Sequence, residues 1–568
     1  MNFGVQDLLA AYRAGRTTPA EVIEQLLPRL HASPPGVWIS RLDDELLRAR
    51  AEALMARPME ELPLYGIPFA IKDNIDLAGL PTTAGCPAFA WQPQRSATVV
   101  QRLIDAGAMP LGKTNLDQFA TGLVGTRSPY GVCRNAFDAR YISGGSSSGS
   151  AVAVAMGLAA FALGTDTAGS GRVPAAFNNL IGYKPSLGLV STRGVVPACR
   201  TLDAVSVFTL TAADAALAGQ VASGFDAEDP CSRKLRPSAR RGWSLRETLR
   251  VAVPRPAQLE FFGDQQYATS FAATIPILAR LGIELVEVDI APLLEAAQLL
   301  YGGPWVAERH LVAGALIESQ PDAVLPVIRQ IIGGGASPDA RAAFSAGYRL
   351  QQLRRDSESI WQAADVLLLP TAPTHYRIDE VEADPVRLNS RLGTYTNFVN
   401  LMDLAAVAVP AGFTGAGLPF GVTLVAPAFE DADLLRLAAR LHHATSTRLG
   451  ALQSHGAPPA PEPVSQAPEG FIDIAVCGAH MAGLPLNGQL TSRGAWLVQA
   501  TTTTPDYRFF ALPGGPPLRP GLVRVAEGGA AMAIEVWRMP VEHFGDFIAG
   551  IPAPLGIGRV RVADGSEV

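Results

Sequence analysis

Apolar and polar positions divide the chain into helical and strand-like segments. Residues 1–60 read as helices, and Thr18 ahead of Pro19-Ala20-Glu21 supplies a cap followed by proline at the first helical position. Residues 64–71 are a short apolar run that predicts a strand ending at Lys72. A helical pattern from Ala97 leads to the strand-like Ala108-Met109-Pro110-Leu111-Gly112. A Gly/Ser loop at 143–150 then runs into a small-residue helix at 151–159, and 160–164 predict a buried strand. Residues 249–253 and 283–290 alternate as strands do, each leading into a helical segment. Strands alternating with helices argue for an α/β fold on a largely parallel sheet.

The pattern breaks at 451–470, ALQSHGAPPAPEPVSQAPEG, which holds five prolines and almost no bulky apolar residue. Such a stretch is expected to be a semi-extended linker. Beyond it the strand-like runs 471–476, 522–525 and 533–537 are separated by Gly/Pro turns and predict a second, smaller, β-rich domain. The expected organisation is a first domain over 1–450, a linker over 451–470 and a second domain over 471–568. No internal repeat is visible.

At 568 residues the chain exceeds one ordinary domain and can bury a large core. Its 48% hydrophobic and 17% charged residues place it among soluble globular proteins and not among disordered chains. A net charge of −6 gives no general attraction for nucleic acid. The densest basic stretch, 233–250, has seven Lys/Arg interrupted by Pro237 and Gly242, and reads as a solvated connecting segment. Cys86, Cys133, Cys199, Cys231 and Cys477 are scattered without a CxxC pair, which offers no zinc motif and no disulfide framework and fits reduced thiols. The N-terminal MNFGVQDLLAAYRAG carries an early acid and no long apolar stretch, so no signal peptide is expected. The longest apolar run, 151–163, has thirteen residues against the ~18 a membrane span needs. A soluble cytoplasmic protein is the expectation.

Positive charge is written almost wholly as arginine: Lys72, Lys113, Lys184 and Lys234 are four lysines against forty-two arginines. An amine loses its proton when desolvated and a guanidinium in practice does not, so a lysine closing an apolar run is a candidate base. Lys72, after Ile67-Pro68-Phe69-Ala70-Ile71, is the only one of the four with such an approach and a polar turn after it. Taken alone, a strand-end lysine is commonly a snorkelling surface residue. Two serine loops change that reading, SGGSSSGS around Ser146 and GTDTAGSGR around Ser170. Single Gly-Ser stretches are commonly flexible loops. The second loop, however, has small residues on both sides of its serine, so backbone N–H groups can crowd a substrate carbonyl as an oxyanion hole requires. A phosphate-cradling loop competes, but the GxxxxGK[ST] pattern is absent. A serine nucleophile needs a base within reach. None of the eight histidines lies between residues 32 and 309, which weakens a Ser-His-Asp arrangement, although folding brings distant residues together.

The same motifs carry a family resemblance. GGSSSGSAVAVAMG followed by LGTDTAGSGRVPA, with the upstream lysine of GIPFAIKD, resembles the amidase signature family over residues 60–210, and the chain to about 445 is compatible with that domain. The resemblance implies a central mixed sheet flanked by helices and a Ser–cis-Ser–Lys triad. Ser170 would be the nucleophile, Ser146 the bridging serine on a cis peptide, and Lys72 the general base. Backbone N–H groups of Thr167, Ala168, Gly169 and Ser170 would form the oxyanion hole, with Asp166 and Arg172 bracing the loop. Outside the resemblance, that acid and base would be an ordinary surface ion pair.

Ala168 stands where most amidases have a second glycine, and Gly171 where they have an isoleucine-like residue. In these features, and in STRGVVPACRTLDAVSVF, the chain is similar to the allophanate hydrolase branch of the family. VCGAHMAGLPLNGQLTSRGA, PDYRFFALPGGPPLRPGLVRV and FGDFIAGIPAPLGIG are similar to the same branch, so the resemblance extends over nearly the whole chain. It implies an amidohydrolase that cleaves allophanate, a small planar anion, through a serine acyl-enzyme and N-carboxycarbamate to ammonia and carbon dioxide. No metal or organic cofactor is implied. A different amidase, or a glutamyl-tRNA amidotransferase A-type subunit, is the alternative. LLYGGPWVAERHLV resembles the branch's substrate-recognition region, so Tyr301 and Arg309, eight residues apart, would hold the carboxylate end, for which arginine's fork is suited. Without that resemblance Arg309 reads as a solvated helix residue. The C-terminal domain resembles the γ-glutamyl cyclotransferase-like fold, a β-rich α+β unit. His480 in CGAHMAG would help decarboxylate the product, or else hold a structural or dimer-bracing place. Family analogy further implies a homodimer, and allophanate supplied by a biotin-dependent urea carboxylase or a cyanuric acid pathway. Neither nucleic acid nor a membrane is an expected partner.

Overall fold

The computed structural model describes residues 3–234, 243, 249–452, 456–460 and 470–568. Most of the basic stretch 233–250 and much of the Pro-rich segment 451–470 lie outside the described residues. The described chain divides into two compact units, one holding residues 3–234 and 249–460 and the other built on 470–568.

The larger unit is organised on one eleven-stranded sheet. In chain order its strands are β1 (Trp38–Arg41), β2 (Pro68–Lys72), β3 (Met109–Thr114), β4 (Phe161–Asp166), β5 (Ile181–Lys184), β6 (Ala204–Thr209), β7 (Leu249–Pro254), β8 (Ile283–Val288), β9 (Val366–Pro370), β10 (Leu404–Phe413) and β11 (Pro419–Pro427). They lie in the order β1-β3-β2-β4-β6-β5-β10-β11-β9-β7-β8. The sheet is mixed. Strands pair in parallel only within β3-β2-β4 and within β9-β7-β8, and every other neighbouring pair is antiparallel. The largely parallel sheet expected from the alternation of elements is therefore corrected. A strand buried on both faces reads as one apolar run whatever its direction. Direction follows from the connections, as where residues 414–418 join β10 to β11 by a loop too short for a crossover.

Local signals place β2, β3, β4, β7 and β8, whereas β5, β6, β9, β10 and β11 were not expected from the sequence. Thr18 accepts the Glu21 amide and Glu21 accepts the Thr18 amide, a complete capping box with Pro19 opening the helix Pro19–His31. β1, inside the segment expected to be helical, pairs at the sheet edge with β3. The small-residue helix begins earlier than expected, at Ser148, and runs to Ala155 with every residue buried. No helix among the described residues is long and apolar enough to cross a membrane.

The feature that positions the site is the pairing of β2 with β4, parallel and in register with Ile71 opposite Leu163. Their C-terminal ends therefore leave the sheet side by side, the edge at which α/β sheets present ligand-binding loops. The chain after β4 turns at once into the helix Val173–Phe177, and the Gly/Ser loop passes overhead into Ser148–Ala155.

The smaller unit holds β12 (Phe471–Val476), β13 (Trp496–Thr502), β14 (Tyr507–Ala511), β15 (Pro520–Arg524) and β16 (Ala533–Pro540). β16 lies between β12 and β13, and β14 pairs with β15 as a separate ribbon. Ile474, Val476, Leu490, Trp537, Met539 and Phe547 form its own core.

Candidate active site

Lys72 closes β2 with its side chain fully enclosed, so it does not snorkel to solvent. Its Nζ lies 2.7 Å from Ser146 Oγ and 2.7 Å from Thr165 Oγ1. Burial pushes the amine down to about 7, against the opposing pull of Asp117, Asp203 and Asp166. A lysine so placed is substantially neutral near pH 7 and has a lone pair to offer. Thr165 is held in turn by Asn74, whose amide donates to it at 3.3 Å.

The Gly145–Ser146 peptide is cis. Ser146 Oγ stands 3.0 Å from Ser170 Oγ, so the three side chains form a continuous Lys72–Ser146–Ser170 chain of hydrogen bonds. Hydroxyl and amine hydrogens rotate, and the chain conducts a proton in either direction. Beneath the helix start, Ser147 Oγ donates to the Thr165 carbonyl at 3.1 Å and accepts the Thr165 amide at 3.3 Å, fastening the serine loop to β4.

The loop after β4 is braced from within. Arg172 grips Asp166 with two parallel bonds of 2.9 and 3.0 Å, and both side chains are completely buried, unlike a surface ion pair. Burial alone would raise the Asp166 carboxyl, but Arg172, Lys184 and the Gly171 amide hold it below its ordinary value. Asp166 also accepts the amides of Gly169 at 2.9 Å and Gly171 at 3.0 Å. This corrects the expected oxyanion hole, because the Gly169 N–H is already engaged. The amides of Thr167, Ala168 and Ser170 form no hydrogen bond among the described residues and stay available to a substrate oxygen.

Several partners that the motifs did not single out complete the loop. Thr396 Oγ1 donates to the Ala168 carbonyl at 2.7 Å, and Asn400 Nδ2 to the Asp166 carbonyl at 2.8 Å. Thr167 Oγ1 donates to Asp203, which also accepts the amides of Ala198 and Cys199. Burial pushes the Asp203 carboxyl up to about 6 against those bonds. Gly169 has φ +128, and a Cβ there would lie 2.4 Å from Thr396 Oγ1. The two departures from the broad family pattern also find their reasons. Ala168 packs in a cluster with Cys199, Leu202 and Tyr395, and a Cβ on Gly171 would lie 2.5 Å from Ser206 Cβ.

Tyr301 and Arg309 come from successive helices, Ala291–Gly302 and Val306–Ser319, and meet across the break between them. Arg309 is only 3% exposed and is no solvated helix residue. Its Nη2 donates to Tyr301 Oη at 3.2 Å, and its Nη1 to Thr121 Oγ1 at 2.8 Å and the Ala120 carbonyl at 3.2 Å. No carboxylate among the described residues reaches ion-pair distance of this guanidinium. The segment that receives it continues to Gly122, whose carbonyl lies 3.5 Å from Ser170 Oγ.

His480 belongs to the smaller unit and is described apart from this cluster. It ends the turn Gly478–His480, with Nε2 3.0 Å from Gln489 Oε1 and the ring edge-on to Phe547 at 5.5 Å. Burial, with a smaller contribution from Arg519, holds its imidazole below its ordinary value despite the Gln489 bond.

Comparison with known proteins gives matches along the length of the chain. The amidase family matches residues 21–435, and the allophanate hydrolase C-terminal domain matches residues 472–568. The structure of Kluyveromyces lactis allophanate hydrolase is 43% identical with a TM-score of 0.85, covering 100% of this chain and 94% of that one. Urea amidolyase from Saccharomyces cerevisiae is 42% identical over 583 residues, which are 100% of this chain and 32% of the relative. The chain thus spans about a third of the length of the curated urea amidolyases it matches. The A-type subunit of glutamyl-tRNA(Gln) amidotransferase from Chloroflexus aggregans is 35% identical over 75% of this chain and 93% of its own length. With a buried serine–serine–lysine chain at the ends of β2 and β4 and these matches along its length, the chain belongs to the amidase family and carries an allophanate hydrolase C-terminal domain.

Proposed function

We propose that this chain hydrolyses allophanate, with Ser170 as nucleophile, Ser146 as proton bridge and Lys72 as base. The observation that carries the reading is Arg309, a buried guanidinium held only by neutral groups. Asp203 and Glu308 act on this cation only from beyond ion-pair distance, and a substrate carboxylate would supply the direct partner. Similarity to allophanate hydrolase over both domains supports that choice above the amidotransferase alternative, which resembles the amidase domain alone.

Ser170 Oγ attacks the terminal amide carbonyl while its proton moves to Ser146 and the Ser146 proton moves to neutral Lys72. The amides of Thr167, Ala168 and Ser170 receive the developing oxyanion. Return of the proton to the leaving nitrogen releases ammonia and leaves the acyl-enzyme. Water, activated by the same relay, frees N-carboxycarbamate. Loss of carbon dioxide then gives carbamate, which breaks down to a second ammonia and carbon dioxide. We assign the decarboxylation to the smaller unit with His480, whose lowered basicity keeps a neutral imidazole available.

We further infer a homodimer, cytoplasmic placement and a supply of allophanate from a biotin-dependent urea carboxylase. Relatives named urea amidolyase that contain this chain in about a third of their length support the last point. Light scattering after size-exclusion chromatography checks the dimer. The decisive experiment measures ammonia release from allophanate beside malonamate, biuret, glutamine and urea. Arg309→Ala should cost about 2–4 kcal/mol in kcat/KM for allophanate and much less for a neutral amide. Equal losses on charged and neutral substrates would overturn the anion reading.

A further inference from the structure

We propose that the buried turn 119–122 couples recognition of the substrate carboxylate at Arg309 to the placement of Ser170, with Thr121 as the positioning residue. The inference rests on the anion reading above and adds to it a physical link between the two ends of the substrate.

Three observations meet at this turn. Phe119 and Ala120 both have φ +52, a left-handed conformation that non-glycine residues adopt at a cost and keep only when their surroundings hold them. The holding groups are two buried arginines and the Ala84 carbonyl, which accepts the Phe119 amide at 2.8 Å. Arg309 Nη1 bonds the Ala120 carbonyl and Thr121 Oγ1, while Arg127 Nη1 donates to the Thr121 carbonyl at 2.9 Å. The far end of the turn is the Gly122 carbonyl, 3.5 Å from the nucleophile's Oγ. Thr121 itself is completely buried, accepting from Arg309 while donating to the Phe119 carbonyl at 3.1 Å. Its hydroxyl thus ties the substrate-facing guanidinium to the strained backbone.

The ends of the segment are fixed independently. Asp117 accepts the amides of Val124, Gly125 and Arg127, and its own N–H donates to the Ser146 carbonyl at 3.1 Å. The Leu123 amide donates to Asn389 Oδ1 at 2.8 Å. Between these anchors the Phe119 amide is held by the Ala84 carbonyl, and Ala120 and Thr121 are the residues bonded to Arg309. A carboxylate bound to the guanidinium would orient and polarise its other N–H groups. The turn is then drawn into the geometry that sets the Gly122 carbonyl and, against it, the rotamer of Ser170. A neutral amide leaves Arg309 without that anchor, so its nucleophile is less well placed.

The test compares wild type, Thr121→Val and Thr121→Ser on allophanate and on biuret, which replaces the carboxylate with an amide. Thr121→Val removes the acceptor for Arg309 and keeps the bulk. It should lower kcat for allophanate about tenfold or more, the worth of one hydrogen bond to a charged group, with KM nearly unchanged. The biuret kcat should move less than twofold, and Thr121→Ser should restore the allophanate value. Thr121→Ala serves if the valine variant does not fold. A fall shared equally by both substrates, a change confined to KM, or no change would overturn the coupling. Wild-type enzyme that turns over both substrates equally would instead remove the anion reading, and with it this proposal.

Discussion

Lys72, the proposed base, must be neutral to accept a proton, and burial pushes its amine down to about 7. The logarithm of kcat should therefore rise with unit slope below pH about 7 and level off above it. A steady-state profile over that range checks this, and a limb centred near the ordinary lysine value, about 10.4, would remove Lys72 as the base. The same shift has a consequence for folding. Between pH about 7 and the unfolded value the unfolded chain binds this proton and the native chain does not, so this residue's contribution to stability rises with pH across that window. Lys72→Arg keeps a cation that cannot act as a base and should be as inactive as Lys72→Ala. Ser170→Ala should lower kcat about 10³-fold or more, since no acyl-enzyme forms. A fluorophosphonate adduct located by intact mass and peptide mapping should fall on Ser170, and an adduct elsewhere would reassign the nucleophile.

At the scale of elements, the decisive unit is the tight connection from β4 to the helix Val173–Phe177. Its carbonyls and amides are fixed by Asp166, Thr396 and Asn400, as the proposed oxyanion hole requires. Asp166 and Arg172 hold this connection by a fully buried pair, and removing one member strands the other's charge or hydrogen bonds. Asp166→Asn should cost about 3–5 kcal/mol in stability and lower kcat as the Gly169 and Gly171 amides lose their anchor. Chemical denaturation of the purified variant, alongside its kcat, measures both. A variant as stable as wild type would mean the pair is compensated by another group.

For the molecule as a whole, each unit has its own buried core, and the Pro-rich segment between them is poor in apolar residues. A chain ending near Ala457 should keep the Lys72–Ser146–Ser170 relay and release the first ammonia from allophanate at close to the full-length rate. If the second unit decarboxylates, N-carboxycarbamate should persist longer in that reaction, visible by carbon-13 NMR. His480→Ala in the full chain should reproduce the delay. Unchanged lifetimes in both would assign residues 470–568 to assembly or stability.

The residues that meet at the candidate site stand out before folding is considered. Lys72 at the end of an apolar run and Ser146 and Ser170 in small-residue loops are local facts, whereas desolvation is decided by the fold, which buries Lys113 and Lys184 as completely as Lys72. The Thr18 cap and the buried strands β2, β3 and β4 were legible in the same local way. β5, β6 and β10 were not read as strands, and an apolar run does not disclose the direction of those that were. The partners that hold the site were equally hidden. Thr396 meets the Ala168 carbonyl from 228 positions away, and Arg309 meets Thr121 from 188. A lone threonine or asparagine carries no periodicity or spacing that marks it. Only the folded chain decides which buried carbonyl it reaches, and folding also withdrew the Gly169 amide from the oxyanion hole by giving it to Asp166.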